Sequence, residues 1–231
     1  AVSKPLPLGR YIVKEVSSPQ YYSVSEEEVT VYLEHEGQIV QIEFLNESVY
    51  TNVSIGKSGY TEVVPGQEIR YTFKDIANNS TVPLDSFYWR DTLPTDAVRL
   101  DKIITGTYSA RLNYKVVFQT NLSNTQRVLA DNLNTLQNYT LDASPAALGL
   151  ASNEYVTQVT FLFGRVPGGL RQVETPYIYC DVLSDLPHEY RFANKCDVGG
   201  MWRNQWIQAT DRWVTIIYRG GPVPTLPRTG Y

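Results

Sequence analysis

Three polar residues sit where an apolar stripe should continue. In each of three segments that read as strands, alternate residues share a face. Val53, Ile55 and Lys57 share one such face, as do Phe87, Trp89 and Asp91, and again Tyr190, Phe192, Asn194 and Cys196. An amine, a carboxyl and a carboxamide all aimed into an apolar core are costly as separate groups. They make sense as one unit. Burial disfavours the charged form of an amine and of a carboxyl alike, so a neutral amine can attack the Asn194 carboxamide while the protonated acid polarises its oxygen. Ammonia leaves and an amide crosslink remains, a single nucleophilic event performed on the protein itself. Asp85 is the second candidate for the acid, because it stands on the same odd-numbered face. The alternatives are a lysine snorkelling at a strand end, a turn aspartate before Leu93-Pro94 and a hydrogen-bonding strand-end asparagine.

A second, smaller constellation lies near the start. Tyr11, Val13 and Glu15 share a face, and so do Val40, Ile42, Phe44 and Asn46. A carboxyl and a carboxamide are therefore again aimed to the core side, where buried polar groups need partners. Two cysteines and two histidines leave little material for metal or thiol chemistry. Cys180 and Cys196 stand symmetrically about His188. If 176–198 is a hairpin turning at Leu186-Pro187-His188-Glu189, the thiols face each other and a disulfide is expected in an exported protein. The other reading is two buried free thiols packed as small apolar residues. No metal-ligand cluster, phosphate-binding glycine loop or Ser/His/Asp arrangement appears, and no cofactor is implied.

The elements that must hold these residues are strands. Seventeen tyrosines among 231 residues, with many Val and Thr and scattered Gly and Pro, favour strands and turns over helices. A 42% apolar and 19% charged composition describes a folded chain, and the net charge of −4 offers no basic face for nucleic acid. Alternation predicts three strands within residues 9–46, one of them over 39–46. A boundary falls near Glu47-Ser48, dividing the chain into 1–47, 48–219 and a terminal 220–231. In the middle part, strands are expected at 53–57, 68–73, 86–94, 107–119, 154–164, 174–182, 189–198 and 212–219. Segment 124–150 is the least strand-like, and a short helix is expected over Arg127–Leu133. Many short strands with turns between them point to an all-β sandwich. Trp202, Trp206 and Trp213 read either as core or as an aromatic platform for a glycan.

Three motifs carry a resemblance. Leu226-Pro227-Arg228-Thr229-Gly230 resembles the LPXTG sorting signal of Gram-positive surface proteins. Gly9-Arg10-Tyr11-Ile12-Val13-Lys14-Glu15 is similar to the G-x-Y-x-x-x-E box of Cna B-type (SpaA-like, prealbumin-like) modules. There Ser18-Pro19-Gln20-Tyr21 stands in place of A-P-x-G-Y, without the Gly. Val64-Pro65-Gly66-Gln67-Glu68-Ile69-Arg70-Tyr71, Asp91-Thr92-Leu93-Pro94 and Asn194-Lys195-Cys196-Asp197-Val198 resemble the repeat domains written V-x-P-G-x-x-I-x-Y…D-T-L-P…N-x-x-x-V, and the Cna A-type immunoglobulin-like modules.

The resemblance implies an immunoglobulin-like β-sandwich preceded by the end of a Cna B module. It implies a sortase that cuts between Thr229 and Gly230 and joins the chain to peptidoglycan or to a neighbouring pilin. It implies that Lys57 and Asn194 form an isopeptide bond assisted by Asp91. In the first module Glu15 would assist attack on Asn46 by a first-strand lysine. Lys4 lies too close to the box for that role and Lys14 faces the other way, so that lysine is expected to precede this sequence. Sorting signals of this kind continue into an apolar span and a basic tail, which would follow Tyr231. The expected protein is a secreted, wall-anchored stalk or pilin segment, not a turnover enzyme. The alternative is an adhesin module that binds a host protein or glycan.

Overall fold

The computed structural model describes residues 2–19 and 21–220, and among these every regular element is a β-strand. The chain divides into two compact units, the first ending at Tyr50 and the second starting at Thr51.

The first unit is built on one antiparallel pair, β1 (Gly9–Lys14) with β2 (Glu28–Leu33), in the register Gly9↔Leu33 to Lys14↔Glu28. Alternation holds in both strands: Tyr11, Val13, Val29 and Val31 turn to the less exposed side. The third strand expected over 39–46 does not form a ladder. Its alternation survives, with Ile42, Phe44 and Asn46 half-buried, but Ile39 is 93% and Leu45 81% exposed. An open groove of about 560 Å³, lined by Val29, Val31, Val40 and Ile42 among others, separates this segment from β2. A strand needs a neighbour within hydrogen-bonding distance, and residues 39–46 join no ladder. The unit closes at its other end through Tyr22↔Ser48, with Ser23 N donating to Glu47 O and Val49 N to Tyr21 O.

The second unit carries twelve strands: β3 (Val53–Ser58), β4 (Glu62–Val63), β5 (Glu68–Asn78), β6 (Leu84–Thr92), β7 (Val98–Ile104), β8 (Asn113–Thr120), β9 (Ser123–Asn134), β10 (Thr140–Asp142), β11 (Val156–Val166), β12 (Tyr177–Val182), β13 (Arg191–Trp202) and β14 (Gln205–Ile217). They form a five-stranded sheet in the order β10-β7-β12-β5-β3 and a seven-stranded sheet in the order β4-β14-β13-β6-β11-β8-β9. All pairs are antiparallel except β14 with the two-residue β4. The inner faces of the two sheets share one apolar core, in which Trp89 of β6 stacks on Phe161 of β11 at 3.8 Å. Phe73 of β5 meets Trp89 from the opposite sheet at 4.8 Å. This is the expected all-β, immunoglobulin-like sandwich architecture: two antiparallel sheets closed face to face over alternating inward residues.

Two local expectations fail for identifiable reasons. The Arg127–Leu133 helix is instead the middle of β9, the edge strand of the large sheet. That edge is mostly exposed and its pairing with β8 is broken by three register shifts. Bulges of this kind destroy the period of two by which a strand is read. The 176–198 hairpin is likewise absent, because β12 lies in the five-stranded sheet and β13 in the seven-stranded one. The turn at 186–189 carries the chain from one sheet to the other. Cys180 and Cys196 are thus not cross-strand neighbours, and both are buried free thiols.

Candidate functional site

Lys57, Asp91 and Asn194 meet in the core of the second unit. Each is brought there by a different strand. The inward face of β3 runs Val53, Ile55, Lys57 in a strictly alternating burial pattern. In β6 the inward residues are Phe87, Trp89 and Asp91, and in β13 they are Phe192, Asn194 and Cys196. β6 and β13 are neighbours in register Cys196↔Asp91, which sets Asn194 two residues along the same face from the aspartate's partner. β3 is the edge of the other sheet, so Lys57 reaches across the sandwich. Its backbone is pinned there by the amide, which donates to Asp211 Oδ2 of β14 at 2.7 Å.

The Lys57 Nζ lies 2.6 Å from Asp91 Oδ1, with both side chains fully inaccessible to solvent. Asn194 Nδ2 donates to the other carboxyl oxygen, Oδ2, at 3.2 Å. The ammonium position is also caged by aromatic faces, 3.9 Å from the Phe73 ring centroid and 4.7 Å from that of Tyr71. Burial pushes the Asp91 carboxyl above its usual range. The Lys57 charge and hydrogen bonds from Lys57 and Asn194 oppose the shift without cancelling it. A carboxyl that prefers to be neutral, in contact with an amine, is suited to taking a proton from it.

One detail departs from the expectation that the acid polarises the carboxamide oxygen. Asp91 contacts the two nitrogens, and the Asn194 Oδ1 is buried with no hydrogen-bond partner among the described residues. A carboxyl so placed can relay a proton between the two nitrogens.

Asp85, the second candidate acid, is not at the site. Its side chain is 52% exposed and paired with Arg165 at 3.2 Å. Ser86 adopts φ 53°, and the pairing of β6 with both neighbours shifts beside it. This bulge reverses the parity between Asp85 and Phe87. Cys180 and Cys196 flank the centre from the two sheets. Burial first, and then the nearby Asp91 charge, pushes the Cys180 thiol far up; burial pushes the Cys196 thiol up to about 12.

The first unit also brings its expected pair together. Asn46 Nδ2 donates to both Glu15 oxygens, at 2.9 and 3.1 Å, and Ser25 N donates to Oε2 at 2.7 Å. Lys14 faces away and stands 3.8 Å from Glu28. Of the three tryptophans, Trp213 donates its Nε1 proton to Tyr60 O, Trp202 is half-buried, and only Trp206 is largely exposed. They do not form a common platform. Leu226, Pro227, Arg228, Thr229 and Gly230 lie outside the described residues. No metal-ligating cluster occurs among the described residues.

No family model and no curated protein matches this chain. Among solved structures it is similar to the collagen-binding subdomain of the Enterococcus faecalis surface protein ACE, at 11% identity over 74% of this chain and 98% of that one, TM-score 0.30. It is similar to BcpA, the major pilin subunit of Bacillus cereus, at 14% identity and TM-score 0.34, covering 92% of this chain and 56% of that one. A comparable likeness, 8% identity over 74% of this chain and 91% of the other with TM-score 0.32, is to AvmM, which catalyses macrocyclization in alchivemycin A biosynthesis. Likeness at this level spans surface proteins and an enzyme alike, so function rests on the site itself.

Proposed function

We propose that this chain is a structural segment of a secreted surface protein, a stalk or pilin, whose second unit is locked by a self-made amide between Lys57 and Asn194. The observation that carries the reading is the contact of Asp91 with both nitrogens the reaction exchanges, 2.6 Å to Lys57 Nζ and 3.2 Å to Asn194 Nδ2, in a site closed to water. The lone pair on Nζ attacks Cγ of Asn194, and Asp91 takes the proton Nζ sheds. The proton the neutral carboxyl already holds passes to Nδ2, the C–N bond to Nδ2 breaks, and ammonia departs, leaving Asp91 neutral again. One C–N bond forms and one breaks, with no redox partner. Packing of the reacting groups together in the closed core supplies the effective concentration. Exclusion of water removes the competing hydrolysis.

By the same reasoning Glu15 and Asn46 are the acid and the acceptor of a bond in the first unit. Residues 226–230 are the site at which a sortase would join Thr229 to peptidoglycan or to a neighbouring pilin subunit. Intact mass of the purified chain tests the central claim. A mass lower than the sequence by one ammonia, restored in Lys57→Met, supports it; an unmodified mass in the wild type ends it. Incubation with a sortase and an amine acceptor tests the second claim by cleavage after Thr229.

A further inference from the structure

We propose that Tyr71 is a further catalytic side chain of the crosslinking reaction, donating a hydrogen bond from its phenol to the side-chain oxygen of Asn194. The inference rests on the reading of Lys57, Asp91 and Asn194 given above. When Nζ adds to Cγ, the carbonyl electron pair moves onto Oδ1, which then carries the negative charge of the tetrahedral intermediate. Asp91 cannot serve that oxygen, because its two oxygens are engaged with Nζ and Nδ2. A donor must come from elsewhere, and charge that develops in a dry site is stabilised mainly by donors already in place.

Tyr71 is that donor. It is fully buried on β5, directly beside β3, and its ring lies 4.7 Å from Lys57 Nζ. The side chains of Asn194 and Thr215 stand close to its hydroxyl from the opposite sheet. Yet neither the Tyr71 hydroxyl nor Asn194 Oδ1 closes a hydrogen bond among the described residues. An orphaned donor and an orphaned acceptor, both buried and belonging to neighbouring side chains, are unusual in a core selected for stability alone. Hydrogen bonds that serve catalysis are often long in the resting protein and tighten as the reaction proceeds.

The phenol is also held in place. A Cβ on Gly59 would stand 3.2 Å from both Tyr71 Cδ1 and Trp213 Cδ1, so the chain just past Lys57 seats closely against the ring. Burial, the largest influence on this group, keeps the phenol protonated at any physiological pH.

The test uses full-length chain made by cell-free translation, quenched in acid at intervals and weighed intact. Tyr71→Phe removes only the hydroxyl. Loss of an oxyanion donor slows such reactions by about a hundredfold or more, so ammonia loss should lag the wild type by that order. Site-specific 3-fluorotyrosine at position 71, a more acidic phenol, should hasten it. A structural effect is separated by comparing thermal unfolding of Lys57→Met with that of Lys57→Met/Tyr71→Phe, where no bond forms in either; the two should melt alike. If the wild type crosslinks and Tyr71→Phe keeps pace with it, or if fluorination leaves the rate unchanged, the role of Tyr71 is overturned and the bond stands. If the wild type never loses ammonia, the reading of the site fails first.

Discussion

Replacing Lys57 by Met keeps the bulk of the side chain and removes the amine. The proposed bond between Lys57 and Asn194 would close a loop of well over a hundred residues. By analogy with a disulfide, the chain-entropy relation puts the stabilisation from such a closure at about 5 kcal/mol. For a unit of this size each kcal/mol moves the melting temperature by about 2–4 °C, so Lys57→Met should melt about 10–20 °C lower. The pH dependence separates a bond from an ion pair. Asp91 has a folded-state pKa above its ordinary value, so over that window the native state binds more protons than the unfolded one. Stability is then full below the ordinary carboxylate range and falls as pH rises through the raised folded value. Once crosslinked, Lys57 carries no charge. Wild type and Lys57→Met should therefore decline together with rising pH and keep a constant gap. If Lys57 remained an ammonium paired with Asp91, the gap would widen as pH rises, because only the variant would bury an unpaired carboxylate. Calorimetry across pH, alongside intact mass, reads both. A constant gap without ammonia loss, or a widening gap with it, would refute the reasoning.

Further outcomes follow from the same geometry. Cys180 and Cys196 are buried, with thiols pushed far up and to about 12; iodoacetamide at neutral pH should label them only after denaturation, and reductant should not alter the unfolding midpoint. Gly106 sits at φ +67° with Glu174 O only 2.4 Å from where a Cβ would lie, so Gly106→Ala should cost at least about 1–3 kcal/mol in urea denaturation. Pulled from its ends, the second unit should yield a contour shorter by roughly 45–50 nm in the wild type than in Lys57→Met, the length of the locked loop at 3.3–3.6 Å per residue; equal lengths in single-molecule extension would count against the bond.

Where strands are regular, alternation put Lys57, Asp91 and Asn194 on core faces, and the three side chains do meet there. β3, β13 and the second half of β6 keep a period of two from their apolar residues into the polar one. A lysine, an aspartate and an asparagine on core faces are conspicuous because burial of each is costly on its own. The same rule misplaced Asp85, since the bulge at Ser86 is invisible in the residue types and reverses parity. It also missed β9, whose exposed, bulged edge has no apolar stripe to betray it. The disulfide expectation failed for a different reason: spacing about a turn reports local symmetry, whereas which sheet each strand joins is set by partners far along the chain. In the first unit, parity brought Glu15 and Asn46 together, although the segment bearing Asn46 lacks a ladder partner.

Tyr71 marks where such reading stops. It continues the stripe of Ile69 and Phe73 on β5, and there a tyrosine is indistinguishable from apolar bulk, because most of its surface is ring. Its hydroxyl becomes informative only when its orphaned state is set beside the orphaned oxygen of Asn194 and the two engaged oxygens of Asp91. Lys57, Asp91 and Asn194 are legible as types because each is polar throughout its terminal group. A donor attached to an aromatic face is legible only as geometry. The acid's alignment with the nitrogens, which sequence cannot convey, is therefore what makes a separate oxygen donor necessary.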